Sequence, residues 1–303
     1  MLLDTPSLYF RAFFGVPQTT VAADGTPVNA LKGLLEFVAH LVTARRPSHL
    51  LACMDADWRP AWRVAAVPTY KTHRVATGTA EIVPDALERQ VPLICAALDA
   101  VGIPWVGAAG YEADDVLATY AAHSPRPVDV VSGDRDLFQV IDDSRGVRVL
   151  YIARGVSRHE IVDEAAITRR YGIPGRAYGE LALLRGDASD GLPGAAGIGE
   201  KTAAAIIARH GTVSAALAAA ADPDSGMRPD LARKLLAARE YLEVAAPVVR
   251  VVTDVAVPPL DARLPATPAD PAGLVALADG LGLDTSFNRL LAALAGAAAP
   301  QGS

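Results

Sequence analysis

The sequence predicts an α/β domain built on a mostly parallel sheet, followed by a smaller helical domain. Three observations carry that expectation. Over the first half, short apolar runs that end on an acid or a turn alternate with amphipathic stretches, the pattern of a parallel sheet with helices on both faces. After about Arg170 the apolar runs stop and helical patterning takes over. The chain has 303 residues, about the length of two domains.

Residues 49–55 (HLLACMD) read as a buried strand ending on an acid. Residues 84–102 read as one helix, with Pro84 near its start, apolar residues at Leu87, Val91, Ile94 and Leu98, and Gly102 at its end. IPWVGA is a short strand, YEADDVLATYAAH a helix opened by acids, VDVVSGDRD a strand running into a loop, and GVRVLYI a further strand. From Tyr171 onward the signals are helical, broken by a glycine-rich stretch at 191–202 and by Pro- and Asp-rich loops at 222–229 and 257–271. The final eight or so residues are expected to fray. The expected domains are 1–170 and 171–303.

Half the residues are hydrophobic (51%) and 20% are charged, which excludes wholesale disorder. Two cysteines, Cys53 and Cys95, cannot build a disulfide framework and suit a reducing compartment. The N-terminus carries Asp4 and no basic region, unlike a secretory signal. Arg209 and His210 interrupt the apolar stretch that comes nearest to spanning a bilayer. The expectation is a cytoplasmic protein with no membrane partner. A net charge of −6 does not exclude nucleic acid, because acids and bases are segregated along the chain.

Nine carboxylates recur at the edges of the α/β elements: Asp4, Asp55, Glu112, Asp114, Asp115, Asp134, Asp136, Asp187 and Asp190. Asp4, Asp55 and Asp134 follow apolar runs, so they belong at carboxyl ends of strands, where open α/β sheets bind ligands. Asp134 and Asp136 can turn toward one point, and the Glu112 group opens a helix whose positive end tolerates acids. Singly, each has a plainer role as a helix cap or turn residue. Together they repel by about 4 kcal/mol per pair at 4 Å with an effective dielectric near 20, which calls for cations. Oxygen-only donors favour Mg²⁺ or Mn²⁺, and the six histidines show no zinc spacing. Paired hard ions at such a cluster point to metal-dependent phosphodiester hydrolysis.

Residues 57–74 invert the charge: Arg59, Arg63, Lys71 and Arg74 alternate with Trp58, Trp62 and Tyr70. Cations beside aromatics suit the backbone and bases of a single strand, although a solvated segment with buried tryptophans has the same composition. The stretch GLPGAAGIGEKT is not a phosphate loop of the G-x-x-x-x-G-K-[ST] kind, because Glu200 separates Gly199 from Lys201 and no strand precedes it. It reads as a tight turn into a helix that offers backbone N–H groups and Lys201 to duplex phosphates.

The ordered motifs SLYFRAFF, the run through Arg63, Tyr70, Lys71 and Arg74, GYEADDVLATYA, VVSGDRDLFQ, LALLRGDASDGLPG and GIGEKTAAAII resemble the 5′-nuclease (flap endonuclease, 5′→3′ exonuclease) family. Its bacterial members include the N-terminal nuclease domain of DNA polymerase I. The resemblance implies a PIN-like α/β domain with a helical arch at about 57–90, then a helix–three-turn–helix at about 180–215. It implies a first metal site dominated by Asp4, Asp55, Glu112 and Asp114 and a second by Asp134, Asp136, Asp187 and Asp190, with Asp115 among the ligands. Tyr70, Lys71 and Arg74 match positions that engage the scissile phosphodiester and the single strand, and Arg63 a DNA contact. Gly197, Gly199, Lys201 and Thr202 match the duplex-binding turn, which in the family also holds K⁺ on backbone carbonyls. The implied partner is DNA with a 5′ flap, nick, gap or free 5′ end, extending to RNA-containing 5′ ends, bound by a monomer in replication or repair. Three departures stand out: Thr5–Pro6 replaces the usual Gly-Asn, the segment before Arg63 is one residue longer so that Arg59 is not carried over, and Gly191 stands where Asn is common. A PIN-type ribonuclease and an inactive junction-binding protein are the competing readings.

Overall fold

The computed structural model describes residues 1–78 and 80–298. In chain order the strands are β1 (Leu2–Asp4), β2 (Leu51–Cys53), β3 (Val75–Thr77), β4 (Ala80–Glu81), β5 (Trp105–Val106), β6 (Val128–Ser132), β7 (Val147–Tyr151) and β8 (Glu160–Val162). The helices of the first half are α1 (Thr5–Gly15), α2 (Asn29–Arg45), α3 (Ala61–Ala66), α4 (Asp85–Glu88), α5 (Val91–Val101), α6 (Ala113–His123) and α7 (Glu164–Tyr171). Those that follow are α8 (Tyr178–Arg185), α9 (Glu200–His210), α10 (Val213–Ala221), α11 (Pro229–Ala237), α12 (Arg239–Val249), α13 (Pro271–Leu281) and α14 (Asp284–Ala298).

Six strands form one sheet in the order β5-β2-β1-β6-β7-β8, while β3 and β4 pair separately as a hairpin. All neighbours in the large sheet run parallel except β8, which is antiparallel to β7. Chain order runs one way outward from β1 and the other way from β6, so their shared carboxyl edge is the topological switch point. Asp4 closes β1 there, in register with Cys53 of β2.

Side chains alternate across the sheet as the strand period requires. Leu2, Val130 and Val149 enter one core with Phe138, Tyr178 and Ile207, whereas Leu3, Val131 and Leu150 enter the other with Leu34, Val38 and Leu290. The first core therefore runs continuously from the sheet into the helices of the second half. The change from mixed to all-helical structure falls near residue 170, and packing is continuous across it. The last two helices leave the second half. They fold back onto the first half, α14 against α2 and α13 against α5, because Phe287, Leu290 and Leu294 make a buried stripe at helical spacing. Helix α14 continues to Ala298, and the rest of the expected frayed end, residues 299–303, lies outside the described residues.

The single helix expected over 84–102 is two helices, α4 and α5. Between them Gln90 is fully buried and its amide serves the start of α2: Oε1 accepts from the Ala30 and Leu31 amides at 2.8 and 3.2 Å, and Nε2 donates to Asn29 Oδ1 at 2.9 Å. Pro92 then begins a new helix, where its missing N–H is tolerated. The arch segment also departs from the expected form. Beyond α3 it holds a single turn at Thr72–Arg74 and the β3–β4 hairpin rather than long helices. Lys71 adopts a left-handed backbone with φ 49°, so Lys71 and Arg74 do not share a helix face. Among the described residues no single helix is long and apolar enough to cross a membrane.

Candidate active site

The switch point is sewn together by short polar side chains. Asp4 caps α1, its Oδ1 accepting from the Ser7 amide at 3.1 Å, and its Oδ2 accepts from the Ser132 hydroxyl at the end of β6. Ser132 Oγ in turn accepts from the Asp134 amide at 2.9 Å, and Ser7 Oγ from the Gly133 amide at 3.1 Å. Gly133 keeps this approach open, since a Cβ there would lie 3.0 Å from Ser7 Oγ. Pro6 sits in the first turn of α1, where it needs no amide partner. Asp55, two residues beyond β2, accepts from the Ala113 amide at 2.7 Å and so rests on the positive end of α6.

These acids line a cleft of about 380 Å³. Among the described residues, seven carboxylates (Asp4, Asp55, Glu81, Glu112, Asp114, Asp134 and Asp187) face four cations (Arg11, Lys71, Arg74 and Arg135). Burial, reinforced by neighbouring acids, pushes the Asp4 carboxyl up to about 7 and Asp190 to about 6. The same cause holds Asp114 and Asp136 well above the ordinary carboxylate value and raises Asp55 and Glu81. Asp55 is open to the cleft at its surface yet ringed by dense protein, and the ring decides its shift. Asp134 couples two groups: its charge raises Asp4 and Asp114 on one side and Asp136 and Asp190 on the other.

The donor set fits hard divalent cations. Among the described residues every acidic donor of the cleft is a carboxylate oxygen, the negative charge exceeds the positive, and Asp136 Oδ1 is buried with no hydrogen-bond partner. Among the described residues no three acidic, histidine or cysteine side chains close around one point. Asp136 and Asp190 lie beside the cleft rather than among the residues that line it, and several of the acids rest on basic side chains. Asp190 takes Arg74 at 3.2 Å, and Asp187 takes Arg185 at 3.4 Å.

The structure redistributes several sequence-assigned roles. Asp115 does not reach the cleft: it is fully buried and pairs with Arg63 Nη2 at 2.7 Å. Arg63, expected to touch DNA, is buried between Glu112 (2.8 Å) and Asp115, with its guanidinium 4.7 Å from the Trp62 ring centre. Tyr70, expected to stack on a base, is buried and donates its hydroxyl to Glu112 at 2.6 Å. Lys71 lines the cleft but is itself mostly buried, its ammonium on Glu112. Arg74 also lines the cleft and is partly exposed, bonded to the Ser189 carbonyl at 3.0 Å. Arg59, which the sequence comparison set aside, braces the arch base by donating to the Tyr70 carbonyl at 2.6 Å. The base docks closely on the acidic turn. The Lys71 amide donates to the Asp190 carbonyl at 2.9 Å, and a Cβ on Gly191 would lie 2.3 Å from the Thr69 carbonyl oxygen.

The glycine-rich turn lies between α8 and α9, and α9 meets α10 at 83°. Gly199 is the N-cap of α9 and offers no side chain, so the first-turn amides stay open to an anion. Lys201 is exposed beside them and Thr202 half-buried. In the turn to which the resemblance gives K⁺, the Gly197 carbonyl accepts from the Lys234 ammonium at 3.2 Å and so has a cation partner within the chain.

Sequence reasoning missed Ser7, Arg11, Glu81, Ser132 and Arg135. Ser132 carried a readable signal, lying at the end of an apolar run two residues before Asp134. Glu81 carried none, because it reaches the cleft from the arch hairpin rather than from a sheet edge.

Residues 1–172 match the family model described as "5′-3′ exonuclease, N-terminal resolvase-like domain", and residues 173–272 match "5′-3′ exonuclease, C-terminal SAM fold". A 5′-3′ exonuclease of Streptomyces coelicolor is 56% identical over 97% of this chain and 99% of its own length. One of Mycobacterium tuberculosis is 50% identical over 97% of each. DNA polymerase I of Mycobacterium bovis is 38% identical over 70% of this chain and 23% of the polymerase. The fold is shared with a bacteriophage T5 flap endonuclease solved with DNA and metal ions (TM-score 0.62, 19% identity, 97% of this chain and 98% of that one). It is shared too with flap endonuclease-1 from Methanococcus jannaschii (TM-score 0.61, 15% identity, 98% and 92%). A carboxylate cleft at the switch point, an arch base on its rim and family models over residues 1–272 agree: the chain belongs to the 5′-3′ exonuclease family of phosphodiester hydrolases.

Proposed function

We propose that the chain is a structure-specific 5′ nuclease of the cytoplasm that hydrolyses DNA phosphodiesters near 5′ ends, flaps, nicks and gaps, as flap endonuclease and 5′→3′ exonuclease, in replication or repair. The carrying observation is the excess of carboxylates in one cleft, with the buried Asp136 oxygen unpartnered, beneath an arch base that brings Lys71 and Arg74 to the same rim. Asp4, Asp55, Glu112 and Asp114 would hold one Mg²⁺ or Mn²⁺, and Asp134, Asp136, Asp187 and Asp190 another. Such ions supply an activated water and stabilise the leaving oxygen.

The chain's own groups do the rest. Arg74, Arg11 and Arg135 draw a phosphate toward the acids, and Lys71 adds a charge-assisted donor where negative charge develops. The open first turn of α9 and Lys201 hold duplex backbone without reading bases. Rotation of Lys71 from Glu112 toward the phosphate would free that carboxylate. Digestion of a panel of 5′-labelled flap, nicked, gapped and blunt DNA, with an RNA single strand beside it, tests the reading. Cleavage confined to 5′-proximal positions of the DNA supports it. Preference for the RNA strand would favour a ribonuclease instead.

A further inference from the structure

Asp115 looks like a metal ligand in sequence, yet all its contacts lie behind the cleft. Its Oδ1 accepts from Arg63 Nη2 at 2.7 Å and from the Val252 amide at 2.9 Å, and its Oδ2 from the Glu112 amide at 3.3 Å. The side chain is 0% exposed and does not line the cleft. Arg63 spans the gap to Glu112: one terminal nitrogen holds Asp115, and the other holds Glu112 Oε1 at 2.8 Å. Tyr70 adds a second donor to that same Oε1. Glu112 is thereby held from behind, with Oε2 left to the Lys71 side of the cleft.

We propose that Asp115 is a positioning residue. Through Arg63 it fixes the carboxylate of Glu112 for a divalent cation and does not ligate the cation itself. Asp115 and Glu112 each take one terminal nitrogen of Arg63, so Asp115 sets the orientation in which the guanidinium meets Glu112. The Val252 bond further ties this support to the strap between α12 and α13. The inference rests on the metal-nuclease reading and deepens it.

Mn²⁺ binding by calorimetry and single-turnover cleavage at saturating enzyme separate the roles in the unmodified chain, Asp115→Asn, Arg63→Met and the double variant. The number of Mn²⁺ bound at saturation should stay unchanged. The half-saturating Mn²⁺ should rise about tenfold or more in each single variant, the range for losing a group that orients a ligand. The double variant should be no worse than either single one. Arg63→Lys, which keeps the charge, should recover part of the affinity and guards against a folding artefact. Loss of a bound Mn²⁺ in Asp115→Asn alone, or effects that multiply in the double variant, would overturn the inference while leaving the nuclease reading intact. An unmodified chain that neither binds Mn²⁺ nor cleaves DNA would overturn both.

Discussion

The Lys71 ammonium rests on the Glu112 carboxylate, which joins a cation of the arch base to an acid of the cleft. Both side chains are nearly buried, and Glu112 also keeps Arg63 and Tyr70 as donors. Lys71 therefore has two roles that can be measured apart. In chelator Lys71→Met should destabilise the fold, by less than the about 3–5 kcal/mol of a fully broken buried pair because Arg63 still holds Glu112. Urea unfolding reads that change.

Arg74 offers the contrast. It is more exposed and holds Asp190 at 3.2 Å, so Arg74→Ala should cost about 1 kcal/mol of stability or less. Both substitutions should nevertheless slow single-turnover cleavage by about 10²–10³ at saturating enzyme. Unchanged rates would reduce the two residues to recruitment of DNA.

Several cleft carboxyls make stability depend on pH in an unusual direction. Asp4 is raised to about 7 and Asp190 to about 6, with burial the leading cause. A raised carboxyl binds its proton more tightly in the folded chain than in the unfolded one. Its stabilising contribution is therefore present below an unfolded pKa of about 4 and lost as pH rises through about 6 to 7. Melting temperature in chelator should fall across that window. Mg²⁺ or Mn²⁺, which takes the ionised form, should raise it more at about pH 8 than at about pH 5. A melting temperature in chelator that climbs steadily across the window would contradict this balance.

The duplex-gripping turn makes a separate prediction. Lys201→Ala should weaken duplex binding to the same degree across sequences and reduce the salt slope by about one. Gly197→Ala should weaken it too, because φ there is +73° and a Cβ would lie 3.2 Å from the Lys234 side chain. Salt titrations of binding to two unrelated duplexes check both. A loss confined to one sequence would exclude a phosphate contact.

Much of the site was legible because its acids mark strand ends: Asp4, Asp55 and Asp134 each follow an apolar run, and β1, β2 and β6 bring them to one edge. The roles within the Glu112 group were not separable by spacing alone. Glu112 and Asp115 are three residues apart, and the Asp115 side chain accepts from the Glu112 amide at 3.3 Å where α6 begins, a pattern that argues for local use of Asp115. The break at Gln90 was signalled by Pro92 but overridden by the apolar periodicity of Leu87, Val91 and Ile94. The buried positions of Arg63 and Tyr70 had no local signal, since burial depends on acids that lie 42–52 residues farther along the chain. The return of α14 to α2 is likewise a long-range match of apolar stripes that neither helix announces by itself.

If the cleft carboxylates act by holding divalent ions over a 5′-proximal phosphodiester, cleavage must depend on metal and on those acids. A 5′-labelled flap duplex is incubated at saturating protein with Mg²⁺ or Mn²⁺, with excess chelator, and with Asp134→Ala and Asp114→Ala. Cleavage is expected with either cation, none in chelator, and none by either variant. Both variants should remain folded and at least as stable in chelator, because each removes a carboxylate that its neighbours repel. Robust cleavage in excess chelator, or by either variant, would contradict that role of the carboxylates.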